Sequence, residues 1–151
     1  MATVTSSRTP PAGFTLLELV TVVTLLGLAL AQLVPAARRQ LDRMAVLGAR
    51  EEVAGLFHQA RMEAVARGGA SLILTSLPPR VELRQGDELL ASGDLGGEYG
   101  ITLTLSGGRT EATLLFDALG LGRVASQTLR FFRGEAEALL VVSSLGRVTR
   151  P

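Results

Sequence analysis

From Phe14 to Val34 the chain runs for 21 residues with a single charged side chain, Glu18. At about 1.5 Å of rise per helical residue, such a run spans roughly 31 Å, the thickness of a bilayer's hydrocarbon core. The pattern predicts one membrane pass. After Pro35 the apolar positions thin out to a helical stripe. Ala49, Val53, Leu56, Ala60 and Ala64 step by four, three, four and four, with Val46 and Phe57 beside them. Arg50, Glu51, Arg61 and Glu63 fall between. Arg67 followed by Gly68-Gly69 is a stop signal, a basic last turn with glycine beyond. Pro35 lacks an amide hydrogen and is predicted to kink the helix rather than end it. The expected helix covers residues 14–67, about 80 Å at the same rise. No globule of this size buries that length, so its first half must sit in lipid or against other subunits.

From Ala70 the period shortens. SLILTSL, RVELR, ELLAS, ITLTLS, ATLLFD, QTLRFF and ALLVVSS are spaced like strands, and QGDE and RGEAE read as hairpin turns. The continuous LLVV predicts a strand covered on both faces. Seven short strands imply antiparallel sheets, a small sandwich packed on the lower part of the helix. The expected fold class is therefore α+β. A long membrane-spanning helix, kinked near Pro35, packs on a C-terminal antiparallel β domain. The expected boundaries are 1–13 leader, 14–34 apolar helix, 35–69 amphipathic continuation and 70–151 β-rich domain.

Composition narrows the chemistry. There is no cysteine, which excludes a disulfide framework, thiol catalysis and cysteine-based zinc sites. His58 is the only histidine, so an HExxH metalloprotease site is excluded. Asp87, Glu88, Glu135 and Glu137 lie at turns and read as solvated hairpin ends, His58 reads as a boundary residue of the helix, and no GxxxxGK[ST] loop occurs. The expectation is a non-enzymatic protein with no cofactor, no metal and no small-molecule substrate. All fifteen basic residues are arginines, and the formal charge is +1.

Residues 1–13, MATVTSSRTPPAG, are polar and cannot form a core; they read as a leader. A secretory signal is the competing reading, with Ala29-Leu30-Ala31 before Gln32 as its cleavage site. The apolar run is longer than such a signal needs and begins with an acid. Charge does not settle orientation. The leader carries only Arg8, while Arg38, Arg39 and Arg43 follow the run, and a positive-inside count would put the C-terminal side in the cytoplasm.

Gly13-Phe14-Thr15-Leu16-Leu17-Glu18 resembles the prepilin peptidase site of type IV pilins and type II secretion pseudopilins. The resemblance implies cleavage after Gly13, N-methylation of Phe14, and an assembly role for Glu18, the acid at the fifth position of the mature chain. Gly27 and Pro35 match the glycine and proline that loosen pilin helices during assembly. Further on, Phe116 to Gly120 within FDALGLGRV, and Ser143 to Arg147, resemble the late segments of GspH/FimT-type minor pseudopilins. The implied protein is a minor pilin or pseudopilin of a type IV pilus or type II secretion system. Its implied partners are other pilin subunits, the prepilin peptidase and the bacterial inner membrane. It would cross that membrane once, with the leader cytoplasmic and the β domain on the outer, periplasmic side.

An alternative comes from FimT-like proteins, some of which bind DNA during natural transformation through a glycine-arginine-x-arginine tail. Here the candidates are Arg147 and Arg150, the second one residue later than in that pattern. A few arginines on phosphates would give salt-sensitive, sequence-independent binding.

N-terminal analysis of the protein from its native host is expected to find Phe14 at the terminus. A terminus at Gln32 would instead identify a secretory signal.

Overall fold

The structure, a computed structural model, describes residues 13–123, 126–143 and 147–151. Residues 1–12 of the expected leader, Val124 of the FDALGLGRV segment and residues 144–146 of the closing segment lie outside the described residues. The chain forms two compact units, Met1–Ala37 and Arg38–Pro151.

Helix α1 comprises Leu16–Arg67 and continues through Pro35. It starts two residues later than its apolar pattern, because Thr15 caps it. In the first unit every described residue is exposed. In the second unit Val46, Ala49, Val53, Ala54, Phe57, Ala60 and Ala64 are buried. The stripe is the expected one with one exchange: Ala54 is inside, and Leu56 only borders the core. The helix ends where Gly68 donates its amide to the Ala64 carbonyl, and the chain turns at once into the first strand.

All seven expected strands form: β1 (Gly69–Ser76), β2 (Pro79–Gln85), β3 (Glu88–Gly93), β4 (Thr102–Leu105), β5 (Glu111–Asp117), β7 (Gln127–Arg133) and β8 (Ala136–Val142). Two short ones were not legible, β6 (Gly122–Arg123) and β9 (Val148–Thr149), nor was the one-turn helix α2 (Leu95–Tyr99). The strands make two antiparallel sheets, ordered β3-β2-β1-β5-β6 and β4-β7-β8-β9. Both sheets and the lower part of α1 contribute to one core.

Register follows side-chain size. Leu72 pairs with Leu83 and Leu114, while Phe116 lies opposite Ala70 and Phe131 opposite Ala138. Leucine meets leucine, and each of these two phenylalanines meets an alanine, which fills the layer without overpacking. Phe57 of α1 meets Phe116 edge to face, with ring centroids 6.1 Å apart. In β8 the LLVV run is not doubly covered. Leu140 and Val142 are buried, whereas Leu139 and Val141 are half-buried, because only one face of that sheet meets the helix and the other sheet.

Both expected hairpins are two-residue turns, Gly86-Asp87 and Gly134-Glu135, closed by the pairs Gln85–Glu88 and Arg133–Ala136. Each begins with glycine at positive φ, 55° and 56°, a conformation matched to the twist of the flanking strands.

A second device ties α2 and the end of β3 to α1. A Cβ on Gly48 would meet the Tyr99 ring at 2.8 Å, and one on Gly93 would meet the Glu52 carboxylate at 2.1 Å. Two glycines thus create the room for a tyrosine and an acid to dock. Burial, then the hydrogen bond and charge of Glu52, push the Tyr99 phenol above the ordinary tyrosine value. A raised pKa in the folded state means that this contribution is complete below about pH 10 and fades as pH rises further. Asp94 caps α2, accepting from the Gly97 amide at 3.0 Å.

Phe57→Ala is expected to lower unfolding stability by about 3–5 kcal/mol in urea titration of the detergent-solubilised chain. Met62→Ala, on the exposed side of the same helix, should change it by under about 0.5 kcal/mol.

Candidate processing and assembly sites

Gly13, Phe14 and Thr15 precede the helix in non-helical backbone, and all are exposed. Thr15 is the cap. Its hydroxyl oxygen accepts from the Glu18 amide at 3.2 Å, and its carbonyl accepts from the Leu19 amide at 3.1 Å. A Thr-x-x-Glu pattern at a helix start satisfies orphan amides and sets an acid beside the positive end of the helix dipole. The sequence carried that signal in Thr15 and Glu18, beneath the more conspicuous run of apolar residues. The Glu18 carboxylate is exposed and, among the described residues, has no ion pair within the chain.

The remaining hydroxyls of the apolar segment are satisfied internally. Thr21 donates to the Leu17 carbonyl at 2.8 Å and Thr24 to the Val20 carbonyl at 2.7 Å. Back-bonded threonines carry little polar cost into an apolar medium. Glu18 is left as the one charged group of that segment.

The two glycines of this region have no steric reason within the chain. A Cβ on Gly13 or Gly27 would meet nothing within 4 Å, and neither has a positive φ. Gly27 therefore lowers helix propensity by about 1 kcal/mol relative to alanine with no packing return inside the subunit. Pro35 likewise sits in fully exposed surroundings.

The candidate DNA contacts at the C-terminal end are not presented as a pair of free cations. Ser143 and Arg147 close a loop between β8 and β9. The Ser143 amide donates to the Arg147 carbonyl at 2.9 Å, and the Arg147 amide to the Ser143 hydroxyl at 3.1 Å. Arg150 is committed elsewhere, 3.1 Å from the Glu51 carboxylate, which also holds Arg50 at 2.8 Å. Among the described residues no group of histidine and acidic side chains is placed to hold a metal ion.

The other segment that carried a resemblance, Phe116 to Gly120, ends in a turn held by hydrogen bonds. The Asp117 carboxylate accepts from the Leu119 and Leu121 amides at 3.0 and 2.9 Å, and Arg61 of α1 donates to the Gly120 carbonyl at 3.1 Å. Leu119 stands out from it, 76% exposed, beside a shallow apolar groove of about 490 Å³ that His58, Met62 and Val65 also line.

Gly27→Ala is expected to leave helix content in detergent unchanged or higher, as read by circular dichroism and amide exchange over residues 23–31. Thr15→Ala should fray the first turn by about 1 kcal/mol.

No family model matches the chain, and no curated protein matches its sequence. Solved structures do match. The type IV minor pilin FimU of Pseudomonas aeruginosa, in one crystal form, superposes with a TM-score of 0.57 at 20% identity, over 72% of this chain and 90% of that one. In a second crystal form the values are 0.54 and 18%, over 70% and 91%. The minor pseudopilin EpsH from the type 2 secretion system of Vibrio cholerae superposes at 0.52 and 15%, over 71% and 95%. The chain thus has the pilin fold, an α+β arrangement of a long N-terminal helix with antiparallel sheets packed on its lower part.

Proposed function

We propose that this chain is a minor pilin or pseudopilin, a subunit that is processed by a prepilin peptidase and co-assembled into a type IV pilus or a secretion pseudopilus. The observation that carries the reading is apolar helix surface with no cover inside the chain. All of 14–34 is exposed, including Phe14 at 85%. The lower part of α1 also has a second stripe, offset by two residues from its buried one. Met44, Leu47, Gly55, Met62 and Val65 lie along it, exposed, with Glu51 and His58 the polar positions between them. A helix that is apolar on nearly every side is stable only when something encloses it. Lipid serves before assembly; the helices of neighbouring subunits serve afterwards. The shared fold with FimU and EpsH, one named for a pilus and the other for a secretion system, supports the same role.

In this reading the protein is a single-pass protein of the bacterial inner membrane, with its leader in the cytoplasm and its β domain on the periplasmic side. Cleavage after Gly13 frees the Phe14 amine, which is then methylated. An ionised side chain well inside a membrane costs about 2.5–3.5 kcal/mol, less near an end. Glu18 lies one turn from the new terminus, and a positive amine on the Phe14 of a neighbouring subunit is its partner on assembly. Gly27 and Pro35 supply local weakness in a helix that must shift from lipid to filament. The DNA-binding alternative has less support, since Arg150 is already spent on Glu51. No enzymatic role, cofactor or small-molecule substrate is proposed.

The test separates processing from assembly. Gly13→Leu should leave the leader attached, seen by mass. Glu18→Ala should insert and mature but fall several-fold in sheared filament fractions, where the native protein appears at a low ratio to the major subunit. Normal incorporation of Glu18→Ala would sink the pairing.

A further inference from the structure

Arg38, Arg39 and Arg43 present a conflict for any periplasmic placement of the β domain. Exporting arginine runs against the usual bias of positive residues toward the cytoplasm, so three of them directly after the apolar run are a burden unless they have a partner. Among the described residues the chain itself supplies none. All three are exposed, and among the described residues none makes an ion pair. The acid best placed to neutralise them, Asp42, is already used. Its carboxylate is held by Arg133 at 2.9 Å, and Arg133 also donates to the Tyr99 carbonyl.

That commitment builds a cleft. The β7–β8 turn is drawn so close to α1 that a Cβ on Gly134 would lie 2.7 Å from the Asp42 carboxylate. Between turn and helix is a cleft of about 110 Å³, lined by Arg39, Asp42, Arg43, Glu135 and Ala136. Arg39 and Arg43 are four residues apart, on one face of the helix. With Asp42 paired to Arg133, the two guanidinium groups that line the cleft face one carboxylate left over, that of Glu135, and Arg38 adds a third guanidinium one residue before Arg39 on the helix. Guanidinium forks match phosphate oxygens in a paired geometry that few other ligands offer.

The sequence position selects the source of the phosphate. Arg38 comes four residues after Val34, the end of a run that itself equals the hydrocarbon thickness. Arg38 and Arg39 therefore belong at the level of the lipid headgroups, and Arg43, about 13 Å beyond Val34 at the helical rise, extends its long side chain back toward them. We propose that Arg38, Arg39 and Arg43 form a binding site for the phosphate of anionic phospholipid, which recruits such lipid around the subunit before it leaves the membrane. The inference rests on the membrane-spanning reading given above.

The test uses the full chain, reconstituted in vesicles of phosphatidylcholine with a minor share of phosphatidylglycerol, then excised with its surrounding lipid in copolymer nanodiscs. Lipid composition of the discs is compared with the bulk. The expected result at low salt is phosphatidylglycerol enriched about twofold or more, falling to the bulk ratio at high salt. R38Q/R39Q/R43Q should lose the enrichment, and R38K/R39K/R43K should keep only part of it, since lysine supplies the charge without the guanidinium fork. No enrichment at low salt, or equal enrichment in the glutamine variant, overturns the site. Loss of enrichment on adding inorganic phosphate at matched ionic strength overturns the lipid assignment, because the arginines then take phosphate from any source. Vesicles of pure phosphatidylcholine keep the two readings apart. Failure to insert there removes the membrane reading and this site with it, whereas insertion there combined with no enrichment in the mixed vesicles removes only the site.

Discussion

The second unit is organised by one surface, the stripe of small side chains on the inner face of α1. Ala49, Val53, Ala54, Ala60 and Ala64 are wholly buried, and their size lets two sheets share a core with a single helix. Phe57 is the bulky exception, and it fills the place where Phe116 of β5 arrives edge to face. Larger residues along that stripe would push the sheets away and open space that the short strands have no bulk to fill. The glycines at 48 and 93 extend the same principle to α2. They keep backbones close enough for Tyr99 and Glu52 to dock.

The outer face of the same helix obeys the opposite rule. Met44, Leu47, Met62 and Val65 are exposed, and the apolar segment above them has no buried residue at all. A soluble monomer avoids contiguous apolar surface of this kind. The core of the second unit is thus closed within the chain, whereas this apolar surface is not covered by any described residue. Polar atoms in the apolar segment are managed accordingly: the threonine hydroxyls bond back to the helix, and Glu18 alone keeps a charge.

Electrostatics divides along similar lines. Several arginines in the second unit have a named task, such as Arg61 on the Gly120 carbonyl, Arg133 on Asp42, Arg130 on Glu137 and Arg150 on Glu51. These contacts pin turns and strand ends to their neighbours. Exposed ion pairs of this sort add little stability each, and their value lies in fixing which segments lie together. Arg38, Arg39 and Arg43, like Arg80, Arg109, Arg123 and Arg147, make no ion pair among the described residues, and Asp42 beside them is held by Arg133.

Much of this is legible in the sequence alone. Hydrophobic period alone separated the apolar run, the helical stripe and the seven strands, because burial of one face imposes a period of 3.6 or 2. Glycine before an acidic residue placed both hairpin turns, since backbone conformation there is local. Other features depended on residues far apart in sequence. Strand order, the exchange of Ala54 for Leu56 in the core, and the half-cover of Leu139 and Val141 follow from how two sheets meet one helix. The two-residue strands β6 and β9 are too short to carry a period of their own, and exist only because a longer neighbour offers its edge. Arg147 and Arg150 looked equivalent in the sequence; Glu51, a hundred residues earlier, distinguishes them. Sequence by itself determined the elements and the unusual acid at the start of the helix. Tertiary structure decided which charges were spent inside the chain and which apolar faces were left for something else to cover, because only three-dimensional contact consumes a charge or buries a face.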